Sequence, residues 1–169
     1  MVKELNKYKY RGVIHIHTTC SDGTEDINSI SKAAKKAGLD WIIVTDHNNF
    51  DVEEGFINGV YVIKGEEISP TNGNHYLALG INQLILPDED CQKNTDAVRD
   101  NGGFGFAAHP DESETRKNNF PPIKWHDKNI IPDGVEIWNW FSQWGDNYCD
   151  KNIFRSEEHT SELQSRLHL

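Results

Sequence analysis

Cysteine, basic residues and long apolar runs are all scarce in this chain, and each shortage removes a class of protein. There are three cysteines in 169 residues. Cys20, Cys91 and Cys149 are odd in number and show no paired spacing, which argues against a disulfide framework and for a reducing, cytoplasmic setting. Lys and Arg total 17 against 27 Asp and Glu, a formal net charge of −10. Such a deficit leaves no basic surface for a nucleic-acid backbone. No apolar run approaches membrane-spanning length, and Met1 to Tyr10 is too charged for a signal peptide. The expectation is a soluble intracellular protein, long enough for one domain with a real core.

What the chain does have is an alternation of strand-like and helix-like segments, which predicts an α/β fold with a parallel sheet or barrel. Gly12 to Thr18 reads as a first strand, followed by a turn at Ser21-Asp22-Gly23. Asp26 to Ala37 reads as a helix with Ile27, Ile30, Ala34 and Ala37 on one face and Gly38 as its stop. Further strands are expected at Trp41–Thr45, Val60–Glu67, His75–Gly80, Phe104–Ala108 and Gly134–Trp138, and a second helix at Asp88–Asn101, ended by Gly102-Gly103. Asp111 to Asp133, rich in Pro, Asn and charge, reads as a long loop over one end of the fold.

Histidines and carboxylates recur at the ends of these strands. In Gly12-Val13-Ile14-His15-Ile16-His17-Thr18 the period of two puts His15 and His17 on one face and Ile14 and Ile16 on the other. His47, Glu67 and His109 sit at or just after the ends of three other strands, and His75 begins a fourth. Strand ends with the loops after them form the active face of β/α barrels, so these side chains are expected to converge on one pocket. A mixture of imidazole and carboxylate suits Zn, Mn or Fe better than Ca. Ordinary readings stay open residue by residue. Asp22 fits a plain turn, Glu67 a surface charge beside Glu66, and His75 a satisfied half-buried histidine.

The same residues carry a resemblance. His15-Ile16-His17-Thr18-Thr19-Cys20-Ser21-Asp22-Gly23-Thr24 resembles the first motif of the PHP (polymerase and histidinol phosphatase) superfamily of metal-dependent phosphoesterases. Ala37-Gly38-Leu39-Asp40 with Thr45-Asp46-His47-Asn48 is similar to its second. Gly65-Glu66-Glu67-Ile68-Ser69 and Asn74-His75-Tyr76-Leu77-Ala78-Leu79-Gly80 resemble the bridging-Glu strand and the next ligand strand. Phe106-Ala107-Ala108-His109-Pro110 and Gly134-Val135-Glu136-Ile137-Trp138-Asn139 resemble the later signatures, so the match runs in order from Tyr10 to about Asp150.

The resemblance implies a distorted seven-stranded β/α barrel with two or three divalent ions (Zn, Mn or Fe) at its C-terminal face. It implies that His15, His17 and Glu67 hold a first ion, and that Glu67 bridges to a second, completed by His75 and His109. Asp22 and His47 would belong to a third. In the family, water or hydroxide bridging the ions attacks phosphorus, and no catalytic group beyond the ligands is implied. Bound cations would also reverse the field that an acidic chain presents to a phosphate.

The family's last motif, an Asp-x-His pair on the final strand, has no match here. Arg155 to Leu169 resembles a translated sequencing-library adapter, although Ser156 as N-cap, with Leu163 and Leu167 one turn apart, also fits a native helix. The expected organisation is a truncated PHP domain over 1–154, incomplete at its C-terminus, and an artefactual tail over 155–169. His159 and His168 then count for nothing, the third ion is the weakest held, and this chain has little hydrolase activity of its own.

The function expected of the parent is a metal-dependent phosphoesterase acting on small phosphate esters. Alternatives are a PHP-type hydrolase of esters, amides or carbamates, and a non-catalytic metal-binding domain. Arg116, Lys117 and Asn139 are candidate substrate contacts, and the Trp138, Trp140, Phe141 and Trp144 cluster reads as packing.

Overall fold

In the computed structural model, residues 10–110, 125–127 and 129–137 are described. Both expected helices form, the first with the ends that the sequence signals place and the second starting at Cys91, three residues later than expected. The first, α1 (Ile27–Lys36), starts at Asp26, whose carboxylate accepts from the Ser29 amide. It stops at Gly38, with φ of +77°. The Gly38 and Leu39 amides donate back to the Lys35 and Ala34 carbonyls, a bond pair that needs a left-handed residue in the middle. The second, α2 (Cys91–Asp100), ends the same way, Gly102 and Gly103 donating to Arg99 and Val98.

The strands make two four-stranded sheets. β1 (Gly12–Ile16), β2 (Trp41–Val44) and β4 (Val60–Lys64) are parallel, and β3 (Gly55–Ile57) is antiparallel to β4 at the edge. β5 (Glu66–Ile68) and β7 (Phe104–Ala107) each pair antiparallel with β6 (Tyr76–Leu79), and β8 (Gly134–Val135) runs parallel to β7. The first core packs α1 on the first sheet through Ile16, Ile30, Ala34, Ile42, Val44, Val60 and Val62. The second joins Ile68, Tyr76, Ala78, Ile81, Ile85 and Val98.

Two expectations need correction. The expected third strand, Val60–Glu67, is two strands divided at Gly65. A Cβ there would lie 2.7 Å from the Ala78 carbonyl oxygen and 2.8 Å from Leu79 Cδ2, so the chain passes β6 only as glycine. Pairing with the β2 side nonetheless continues across the break, Gly65 donating to Val44 and Glu67 to Asp46. One run of sequence thereby leaves the first sheet and enters the second. The other correction is β3, expected from no strand pattern. Its signal was Asn58-Gly59, whose φ values of +50° and +81° suit a two-residue hairpin loop.

The fold is thus mixed α/β. Among the described residues no helix is long and apolar enough to cross a membrane. Cys20 and Cys91 are free thiols.

Candidate metal centre

Glu67, fully buried on β5, has its carboxylate ringed by five imidazoles. His15 Nε2 and His17 Nε2 each lie 3.1 Å from Oε2, and His47 Nδ1 lies 3.2 Å from it. His75 Nδ1 is 2.9 Å and His109 Nε2 3.1 Å from Oε1. Asp22 closes one side, its carboxylate 3.3 Å from His17 Nδ1 and 3.7 Å from His47 Nε2. All seven side chains that the sequence singled out as ligands therefore meet at one place.

They do not meet by simple strand alternation. Between Val13 and Ile16 the β1–β2 register slips: three residues of β1 span two of β2. His15 sits in the bulge with φ of +64°. Val13 and Ile16, three apart, face the first core, whereas Ile14 was expected to share the core face of Ile16. The bulge turns the His15 ring to Glu67 from within the strand, and His17 reaches it from just beyond the strand end. His109 reaches it from just after β7, also at positive φ, +31°.

Buried polar groups brace the site. Asp46, next to His47, accepts from the Thr18 amide at 2.6 Å, the Thr18 hydroxyl at 2.7 Å and the Ser21 hydroxyl at 2.6 Å. It thus fastens the loop that carries Asp22 to the end of β2. Ser69 donates its hydroxyl to the Glu67 carbonyl and lies 2.6 Å from His47 Nδ1, and Asn48 both donates to and accepts from the Ser69 backbone. Glu136 lies 2.9 Å from His15 Nδ1 and accepts from the His109 amide at 2.7 Å. Asp46, Ser69 and Glu136 were not among the expected site residues. All three lie inside the family-like motifs, but only the tertiary contacts reveal what their side chains hold.

The electrostatics follow from burial and proximity. Burial opposes ionisation of Glu67, but the surrounding imidazoles, His15 foremost, override it and hold the carboxyl well below the usual range. Burial likewise opposes the His15 imidazolium, and Glu67 and Glu136 override it, raising the group to about 10. The hydrogen bond to His47 lowers Asp22 to about 2. Burial dominates at His75 and lowers it despite Glu67. Glu66, on the other side of β5, is also fully buried rather than the surface charge its position allowed. Burial raises it to about 7, and one of its oxygens accepts from the Ile85 amide.

The donor chemistry fits divalent ions. Oε2 of Glu67 has three ring nitrogens within 3.2 Å and two lone pairs, so hydrogen bonding to that oxygen cannot satisfy all three rings. Two groups of donors lie close enough to share an ion: His15, Glu67 and His109, and His17, His47 and Glu67. These groups cut across the family-implied sharing, which joined His15 with His17 and His75 with His109. Arg116, Lys117, Asn139, the aromatic cluster from Trp138 to Trp144 and the tail 155–169 lie outside the described residues.

Comparison with known proteins points the same way. Residues 14–103, more than half of the chain, match the PHP domain family. An uncharacterized protein of Methanocaldococcus jannaschii is 30% identical over 115 residues, covering 57% of this chain and 66% of that protein. The DNA polymerase/3'-5' exonuclease PolX of Bacillus subtilis is 28% identical over 92 residues, 52% of this chain and 16% of the polymerase. The chain thus spans just under two thirds of the first relative and a small part of the second. Among solved structures, a two-domain protein from Bacteroides vulgatus containing a predicted PHP-like metal-dependent phosphoesterase superposes with a TM-score of 0.50 at 22% identity, covering 66% of this chain and 38% of that one. That likeness concerns the fold, while the sequence match through the histidine-bearing strands assigns the lineage: this chain belongs to the PHP domain family.

Proposed function

We propose that the parent of this chain is a metal-dependent hydrolase of small phosphate esters, with two or three Zn, Mn or Fe ions held by His15, His17, Asp22, His47, Glu67, His75 and His109. The observation that carries the reading is Glu67, a buried carboxylate with five ring nitrogens around its two oxygens. Divalent ions at such a site lower the pKa of water and neutralise phosphoryl charge. The protein's own part is placement. Glu67 lies in both donor groups, so its carboxylate could contribute to both ions. Asp22, with two thirds of its side chain exposed, stands at the rim, where a third ion would meet solvent and substrate. The braces at Asp46 and Ser69 hold this side of the site in register when a substrate enters. Closure of the two sheets into a distorted seven-stranded barrel belongs to the same proposal. It is supported by the continuous pairing from β2 across Gly65 to β5.

The test is hydrolysis of p-nitrophenyl phosphate and p-nitrophenyl acetate by a full-length homologue that keeps the Asp-x-His strand, metal-free and Mn- or Zn-loaded, beside the Glu67→Gln change at its matching position. Metal-dependent release from the phosphate ester, falling at least ~100-fold in Glu67→Gln, is expected. Turnover of the acetate alone would move the chemistry to carbonyl substrates. Tight metal binding without turnover of either would favour a non-catalytic metal-binding domain.

A further inference from the structure

We propose that Glu136 is a positioning residue for one half of the site, presenting His15 Nε2 and the His109 ring together to one divalent ion. This rests on the metal reading above and adds a residue to it. One oxygen of Glu136 lies 2.9 Å from His15 Nδ1, and the other accepts from the His109 backbone amide at 2.7 Å. The far nitrogen of each ring, Nε2, is 3.1 Å from Glu67. His15, Glu67 and His109 form one of the two compact donor groups, and Glu136 thus touches two of its three members from behind.

Both ring nitrogens of His15 face carboxylates, Nδ1 at Glu136 and Nε2 at Glu67. An ion in the His15, Glu67 and His109 group would take the Nε2 lone pair, which leaves Nδ1 to carry the proton that faces Glu136. A carboxylate behind a ligating imidazole fixes ring orientation and raises its basicity. Both histidines also have positive φ, +64° and +31°, which L residues seldom adopt unless neighbouring groups hold them. Glu136 supplies such a hold at His109 through the backbone amide. It is placed to do so by the ladder, because its own amide donates to the Ala107 carbonyl as β8 runs beside β7.

The experiment uses the full 169-residue chain and Glu136→Gln, titrated with Co(II) by calorimetry and visible absorption, with urea unfolding of the metal-free forms as a folding control. Affinity for one ion should fall 10- to 100-fold, with an altered Co(II) spectrum. The ion held by His17, His47 and Glu67 should keep its affinity. Unchanged affinities and spectrum in the variant overturn the inference while leaving the metal reading intact, and equal weakening of both ions overturns the half-site assignment. Wild-type protein that binds no divalent ion overturns both. Should Glu136→Gln fail to fold, long-range proton–nitrogen correlation on zinc-loaded wild type decides. A proton on His15 Nδ1 supports the inference, and a proton on Nε2 sinks it.

Discussion

His15 and Asp46 show how single residues make this site. A histidine at φ +64° costs on the order of 1–2 kcal/mol relative to an extended one, and the strand bears that cost where it turns a ring toward Glu67. Asp46 works in the opposite sense, gathering three short hydrogen bonds from Thr18 and Ser21 at a buried position. Its replacement strands those donors. Asp46→Ala is therefore expected to destabilise the fold by about 2–4 kcal/mol, read as a lower urea midpoint with an unchanged slope. The same variant should bind divalent ions more weakly on the Asp22 side, since the loop holding that carboxylate loses its tether. Wild-type stability in Asp46→Ala would show that the three bonds are replaced by water at no net cost.

At the scale of elements, the decisive feature is the strand that changes sheets. Gly65 lies where β4 hands over to β5, against the Ala78 carbonyl and Leu79, and a methyl group there has nowhere to go. Gly65→Ala should cost roughly 1–3 kcal/mol by overpacking. It should also displace Glu67 two residues on, so weakened metal binding must accompany the lost stability. Loss of stability with intact binding would mean that β5 is positioned independently of the junction. A second element-scale prediction concerns the segment leading into β8. Asp133 accepts from the Gly105 amide at 3.0 Å and pairs with Arg99 at 3.0 Å, contacts that hold its carboxyl below the ordinary range. A depressed carboxyl stabilises the fold above its unfolded pKa, and that contribution fades as pH falls through the folded value. Asp133→Asn should thus melt below wild type at pH 7, with the gap closing below about pH 4. A gap of the same size at every pH would assign the effect to packing instead.

The whole molecule is acidic, and the Glu67 site gathers side chains from both sheets and from the loops beside their strands. Ions bound to the folded state alone would tie these elements together and raise stability by mass action. Melting of the full chain should therefore shift upward with Mn or Zn, by about 2.7 kcal/mol at a hundredfold excess over Kd, and return with chelator. The shift should vanish in Glu67→Gln, because Glu67 belongs to both donor groups. An equal shift in that variant would place the bound metal elsewhere on the surface.

Much of this protein is legible one residue at a time. Helix ends follow from Asp26, Asp90 and the glycines after each helix, because capping is a local matter of a few backbone groups. The clustering of these side chains around Glu67 was legible as well, since histidines and carboxylates at strand ends are rare enough in combination to stand out. Asn58-Gly59 is a local hairpin signal too, a pair of residues that tolerate positive φ, but the short β3 before it carries no alternating pattern of its own. Other features depend on contacts between residues far apart in the chain. Nothing local in Gly12–Thr18 announces that β1 bulges, because the slip is defined only against β2. Glu66 and Glu67 are identical neighbours in sequence. The pleat sends one into a ring of imidazoles and the other to the Ile85 amide, and only the packed sheets tell them apart. The role of Glu136, 121 residues from His15, was decided by β8 settling beside β7. Which atoms meet across such distances is set by how the two sheets pack, whereas which chemistry is on offer was already written in the order of the residues.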